Sequence, residues 1–188
     1  MSLRGVIFDL DGTLVDSQLD FAAIRAATGC PDGLGLIEYA EGLVEDEAAR
    51  VHRIIHEHEM AGARAASWIP GADDWLAALR RQGLPTGILT RNARVPTALT
   101  LSRLGIDVDV VLTREDCRPK PDPDGLLRIA RQWNLPCEAL VYVGDFRYDI
   151  EAARRAGMQA WFYDTGRHSH FGDDADRVFR DFLELMGE

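Results

Sequence analysis

The stretch GVIFDLDGTLVDS, residues 5–17, decides how the rest of the chain is read. Gly5, Val6, Ile7 and Phe8 form an apolar run of the length of a buried strand, and Asp9, Leu10, Asp11 and Gly12 follow at once. Two carboxylates two residues apart at the end of a buried strand repel one another. Burying such charge is costly unless a cation neutralises it. What supplies that positive charge is the question the sequence poses.

Working outward, apolar strand-like runs recur at 86–89, 108–112, 140–143 and 158–162. Helix-period segments separate or follow them at about 73–82, 93–104, 122–133, 147–156 and 176–186. That alternation predicts an α/β fold: a doubly wound, Rossmann-like parallel sheet with helices on both faces. Between the first strand and the second lie about 75 residues, far more than one crossover helix requires. Residues 16–28 and 36–66 keep helical spacing within it, with TGCPDGLG (28–35) as the turn. The expected organisation is therefore a core of 1–15 and 69–188 carrying a small helical insertion at 16–68. The plainer alternative is that these helices pack on one face of the sheet. The chain returns through IPGADDWLAALRRQG, where Pro70 and Gly71 break it and Asp73 is placed to cap the next helix.

Composition narrows the function classes. The 188 residues are 46% apolar and 28% charged, with a net charge of -10. Such an acidic chain is a poor partner for nucleic acid or an anionic membrane surface. No apolar run reaches the roughly 20 residues of a membrane span, and the N-terminus does not read as a signal peptide. Cys30, Cys117 and Cys137 are widely spaced, without a CxxC, as expected of reduced thiols in a cytoplasmic protein. The chain has 20 arginines and one lysine, Lys120. A lone lysine in such a chain points to a place that wants a compact ammonium.

In open parallel sheets, ligands bind beyond the carboxyl ends of the strands. Asp9 and Asp11 follow the first strand, Thr90 the second, Lys120 the third after a short loop, and Asp145 the fourth, with Asp149 close behind. Several carboxylates converging on one rim call for a hard, oxygen-seeking dication such as Mg2+, which also leaves positions open to a substrate phosphate. Thr90 and Lys120 then offer a hydroxyl and an ammonium to phosphoryl oxygens. Backbone N–H groups around Asp11–Gly12 and Arg91–Asn92 complete the cradle. A calcium loop is excluded, because its glycine belongs at position six behind a helix. Taken singly, Asp149 is a first-turn helix acid, Thr90 a polar strand end and Lys120 a surface lysine.

FDLDGTLVDS (8–17), ILTRN (88–92), PKP (119–121) and GDFRYD (144–149) resemble, in order, the four motifs of the haloacid dehalogenase-like hydrolase superfamily. The return at 69–83 resembles its phosphoglycolate-phosphatase-like branch, which carries a helical cap after the first motif. The resemblance implies a phosphatase acting on a small phosphorylated metabolite, with Asp9 as nucleophile and Asp11 as general acid, then base. It implies Thr90, Arg91, Lys120 and Gly12 as phosphate ligands. It further implies Asp9, the main-chain carbonyl of Asp11, and Asp145 as ligands of Mg2+, with Asp149 and Thr13 in support.

Arg91 stands where that pattern has Asn next to the hydroxyl residue, which displaces Asn92 and puts its side-chain role in doubt. Arg91 either reaches a second anionic group or turns into solvent. Phosphonatase chemistry needs a cap lysine, and 16–68 has none; dehalogenase chemistry leaves Asp11 without a task. A phosphomutase shares all four motifs, and a non-catalytic binding protein on the same fold is the rival from another class. Substrate choice would fall to insertion residues such as Arg25, the 29–35 loop and Arg64. HRIIHEHE (52–59) offers His52 and His56 one turn apart but reads as a solvated helix face, and His168 and His170 read as loop residues.

Overall fold

The computed structural model describes residues 3–186. Six strands make one parallel sheet: β1 (Gly5–Phe8), β4 (Thr86–Leu89), β5 (Val110–Leu112), β6 (Leu140–Gly144), β7 (Gln159–Tyr163) and β8 (Arg177–Phe179). Their order across the sheet is β5-β4-β1-β6-β7-β8. β1 lies between β4 and β6, with Phe8 opposite both Ile88 and Val143. All four β1 residues are buried, because helices cover both faces of the sheet.

Alternate residues of the strands build two cores. Val6, Phe8, Ile88, Val141 and Val143 pack with Trp75, Leu76 and Leu79 of α4 (Ala72–Arg81). Leu101 and Leu104 of α5 (Arg94–Leu104) close the same side. Ile7, Leu89, Tyr142 and Phe162 face the other way. They meet Leu126 and Ile129 of α6 (Asp124–Trp133) and Ile150 and Ala153 of α7 (Arg147–Ala156). The chain winds from β1 through β4 to β5, then crosses to β6 on the other side of β1. The reversal places the switch point of the sheet between the carboxyl ends of β1 and β6, where such folds bind ligands.

The segment between β1 and β4 holds α1 (Phe21–Thr28), α2 (Leu36–Glu41) and α3 (Glu45–Ala65). Ile24, Ala40, Val51 and Ile55 give these helices an apolar cluster of their own. α3 runs along α5, where Arg103 donates to the Ala63 carbonyl at 2.8 Å. The chain leaves and returns through an antiparallel ribbon, β2 (Val15–Asp16) with β3 (Ser67–Trp68).

Several expectations need correction. Residues 176–186 do not form a helix: Trp161, Phe162 and Tyr163 of β7 pair with Arg177, Val178 and Phe179, adding a sixth strand, and a 3-10 turn follows at Phe182–Leu185. Pairing with an open sheet edge outweighs helical periodicity over so short a run. The stretch 36–66 is broken at Gly42, and 16–20 lie outside α1. The expected strand at 108–112 shortens to 110–112. Asp73 sits in the first turn of α4, and the N-cap is Gly71 at φ 78°, a left-handed conformation suited to glycine. No helix among the described residues is long and apolar enough to cross a membrane.

Candidate active site

The candidate residues lie on strand ends or on the loops after them, except Asp149, which stands in the first turn of α7. Asp9 follows β1, and its backbone N–H donates to the Val143 carbonyl at 2.8 Å, which holds it level with the end of β6. Lys120, only 4% exposed, reaches this place from the loop before α6. Its Nζ donates to Asp9 Oδ1 and Asp149 Oδ1, both at 2.7 Å, and to the Tyr142 hydroxyl at 2.9 Å. Asp149 uses its other oxygen to accept from Phe146 N at 3.0 Å, at the start of α7. It is thus both a first-turn helix acid and a partner of the lysine. Gly144 makes this return possible, since any Cβ there would collide with the Asp149 carboxylate.

Asp145 completes the group: oxygens of Asp9, Asp145 and Asp149 lie within 4.8 Å of one another. Gly12 has φ +82°, and a Cβ on it would stand 2.5 Å from Asp145 Oδ2. A glycine therefore lets the first loop close over that carboxylate. Among the described residues Asp145 has no ion-pair partner. Burial, with Asp9 and Asp149 alongside, pushes its carboxyl up to about 8. Burial likewise raises Asp9 despite Lys120, while Asp9 and Asp149 raise the lysine itself. One ammonium does not balance these acids. The donor set, hard oxygens in excess of positive charge, fits a divalent cation of the Mg2+ kind. It is the one such group among the described residues; His52, His56 and His58 form none.

Asp11 is also raised by burial, against hydrogen bonds from Ser17 and Asn92. The Asn92 amide donates to Asp11 Oδ2, so its side chain reaches the site even with Arg91 inserted before it. Thr90 is buried, and its Oγ1 accepts from Asn92 N at 3.1 Å. Thr13 is buried beside Leu14, with no hydrogen-bond partner for its hydroxyl among the described residues. Arg91 does not turn into solvent: it pairs with Glu38 of α2, and its guanidinium lies 5.2 Å from the Tyr148 ring. Arg25 donates instead to the Pro31 carbonyl within the 16–68 segment, and Arg64 is exposed.

Two participants escaped the sequence reading. Tyr142 reads as one more apolar residue of a central strand, yet its hydroxyl lies 3.0 Å from the Leu89 carbonyl and 3.2 Å from Asp149. Glu59 belongs to the supposedly solvated HRIIHEHE face but is buried and paired with Arg114. Its spacing from Val51 and Ile55, eight and four residues, was the available signal.

Comparison with known proteins bears on the family and the fold. A family model described as haloacid dehalogenase-like hydrolase matches residues 3–157. A haloacid dehalogenase-like hydrolase domain-containing protein of Arabidopsis thaliana is 31% identical over 179 residues, 88% of this chain and 73% of its own length. The phosphoglycolate phosphatase of Shigella dysenteriae is 30% identical over 198 residues, 82% of this chain and 79% of its own. A hydrolase of Pseudomonas syringae, known from its crystal structure, superposes with a TM-score of 0.77 at 27% identity, covering 98% of this chain and 96% of that one.

Proposed function

The chain belongs to the haloacid dehalogenase-like hydrolases, and from that premise we propose that it is a Mg2+-dependent phosphatase of small phosphomonoesters. The observation that carries this reading is the Asp9 carboxylate at the switch point, 2.7 Å from a buried lysine and within 4.8 Å of the Asp145 and Asp149 oxygens. Asp9, Asp145 and the main-chain carbonyl of Asp11 would hold Mg2+, which supplies positive charge to the oxygens of the transferring phosphoryl group.

Asp9 Oδ forms the new bond to phosphorus while the ester P–O bond breaks, leaving an aspartyl phosphate. Lys120 offsets the repulsion between that carboxylate and the phosphate dianion. The raised Asp11 carboxyl hands its proton to the leaving alkoxide. Asp11, now ionised, then takes a proton from water as the water oxygen attacks phosphorus, releasing phosphate and restoring Asp9. Thr90 and the N–H groups of the loops after β1 and β4, Gly12 among them, receive the phosphoryl oxygens, with Thr13 and Asp149 in support. Arg91 stays beside them, paired with Glu38.

Residues 16–68 act as a cap on a core of 1–15 and 69–188, with hinges at Leu14–Ser17 and Ile69–Gly71. Closing it excludes water during transfer. Three free cysteines suit a cytoplasmic setting. The test is phosphate release from phosphoglycolate, sugar phosphates and nucleotides, with and without Mg2+. Release should need the metal, and Asp9→Asn should lower it by on the order of 10⁴-fold or more. Release undiminished in Asp9→Asn, or none from any compound, would overturn the proposal.

A further inference from the structure

The buried stripe of α3 runs through Val51, Ile55, Glu59, Gly62 and Ala63. Four of the five are apolar or small; Glu59 carries a charge and is only 7% exposed. A carboxylate there is expensive unless it is paired and hydrogen-bonded. Its Oε1 meets Arg114 Nη1 at 2.5 Å, and that arginine is itself only 15% exposed. Its Oε2 accepts from Ala93 N at 3.4 Å. Ala93 is the N-cap of α5 and has no side chain able to cap it. A carboxylate from another helix stands at that positively polarised end instead.

Arg114 holds the two residues before Ala93. Its Nη1 lies 3.5 Å from the Arg91 carbonyl, and its backbone N–H donates to the Asn92 carbonyl at 3.2 Å. Residues 91, 92 and 93 are thus each tied to Glu59 or Arg114. They form the whole of the short connection between Thr90 and α5. Asn92 in turn donates to Asp11, and its N–H to the Thr90 hydroxyl oxygen. Glu38 on Arg91 adds a second tie between this loop and the 16–68 segment.

We propose that Glu59 and Arg114 are a positioning pair that sets the 90–93 loop for phosphoryl transfer, and that they do so only while α3 is seated against α5. This rests on the phosphatase reading above. Neither residue touches the reacting atoms; they act through Thr90 and Asn92. A leucine and a methionine would fill the same seam with comparable stability, since apolar replacement of a buried ion pair is often neutral or stabilising. Such a pair would leave the Ala93 N–H and the Arg91 carbonyl unheld. Stability and positioning therefore separate at this site.

The experiment compares the wild-type chain with Glu59→Leu/Arg114→Met, measuring melting temperature, kcat and KM for phosphate release, and amide exchange of the 90–94 segment. The expected result is a near-unchanged melting temperature, a fall in kcat of about 10- to 100-fold, and faster exchange confined to that segment. Should the double variant fail to fold, Arg114→Lys keeps a charge for Glu59 but shortens the reach to the Arg91 carbonyl. It should lower kcat with little thermal cost. Unchanged kcat and exchange in a folded variant would overturn the proposal. Where the wild type itself releases no phosphate, the phosphatase reading fails, and exchange alone decides the positioning role: faster exchange upholds it and unchanged exchange rejects it.

Discussion

At the rim of the sheet, Lys120 stands among Asp9, Asp145 and Asp149; in the seam between α3 and α5, Glu59 has Arg114 to itself. Both places are buried, and burial lifts the carboxyl in each. At Glu59 a guanidinium opposes the lift directly, whereas Asp145, without such a partner, rises to about 8. A matched pair holds backbone in place and asks for nothing more. An excess of carboxylates over cations is unstable alone and becomes favourable when positive charge arrives. Charge balance therefore distinguishes a place that positions from a place that binds.

The sharpest way to break that contrast is to remove the rim's only bonded ammonium. Lys120→Met leaves Asp9 and Asp149 buried without it, and should cost about 3–5 kcal/mol in urea unfolding, the range for breaking one side of a buried pair. Catalysis should fall by on the order of 10²–10³-fold, as when a donor to developing charge is lost. An unchanged unfolding midpoint would mean the acids do not depend on the lysine.

Charge imbalance also predicts a pH effect. Asp9 and Asp145 are raised in the folded protein, so it keeps protons that the unfolded chain releases, between the ordinary carboxylate range and about 8. Stability of the metal-free protein is then fully present below the unfolded carboxylate pKa and is lost as pH rises through that window. Mg2+ replaces those protons, so it should raise the melting temperature more near pH 8 than near pH 5. The scale is about 2–4 °C per kcal/mol for a chain of this size. A metal effect independent of pH would contradict the imbalance.

Tyr142→Phe tests the rim more gently. The hydroxyl is one of three acceptors around the lysine, and its loss should cost about 1–2 kcal/mol on thermal unfolding, the scale of one buried hydrogen bond. No change would mean that the Leu89 carbonyl and Lys120 are satisfied otherwise. At the far end of the range, Arg80 and Asp107 pair at 2.5 Å but are 49% and 69% exposed. Arg80→Ala should shift stability by less than about 1 kcal/mol and leave activity alone. A larger effect would show that exposure, not balance, had been misjudged.

The rim was legible in the sequence because Asp9 and Asp145 sit just past recognisable apolar runs, with Asp149 one helical turn further on. The end of a parallel strand fixes where the next residue stands. Asp9, Asp11, Thr90, Lys120 and Asp145 needed only that, plus the rule that such ends converge at the switch point. The seam was not legible in this way. Glu59 looks like one more charge among the neighbouring His52, His56, Glu57 and His58, and only its register with Val51 and Ile55 marks it as buried. Its partner Arg114 is 55 residues away, so no local pattern joins them. Tyr142 was hidden by its strand, where an aromatic ring is ordinary core and only the hydroxyl's neighbours give it a role. The last strand was lost because three residues pairing with an edge leave too little alternation to outvote helical spacing.

The most direct measurement is mass spectrometry of the enzyme quenched in acid within its first turnovers on a phosphomonoester that it hydrolyses. The account predicts a phosphoryl group on the peptide bearing Asp9, absent from Asp9→Asn and accumulating in Asp11→Asn, where breakdown lacks its base. Steady phosphate release with no phosphoryl group on Asp9 under any quench, and none in Asp11→Asn, would contradict it.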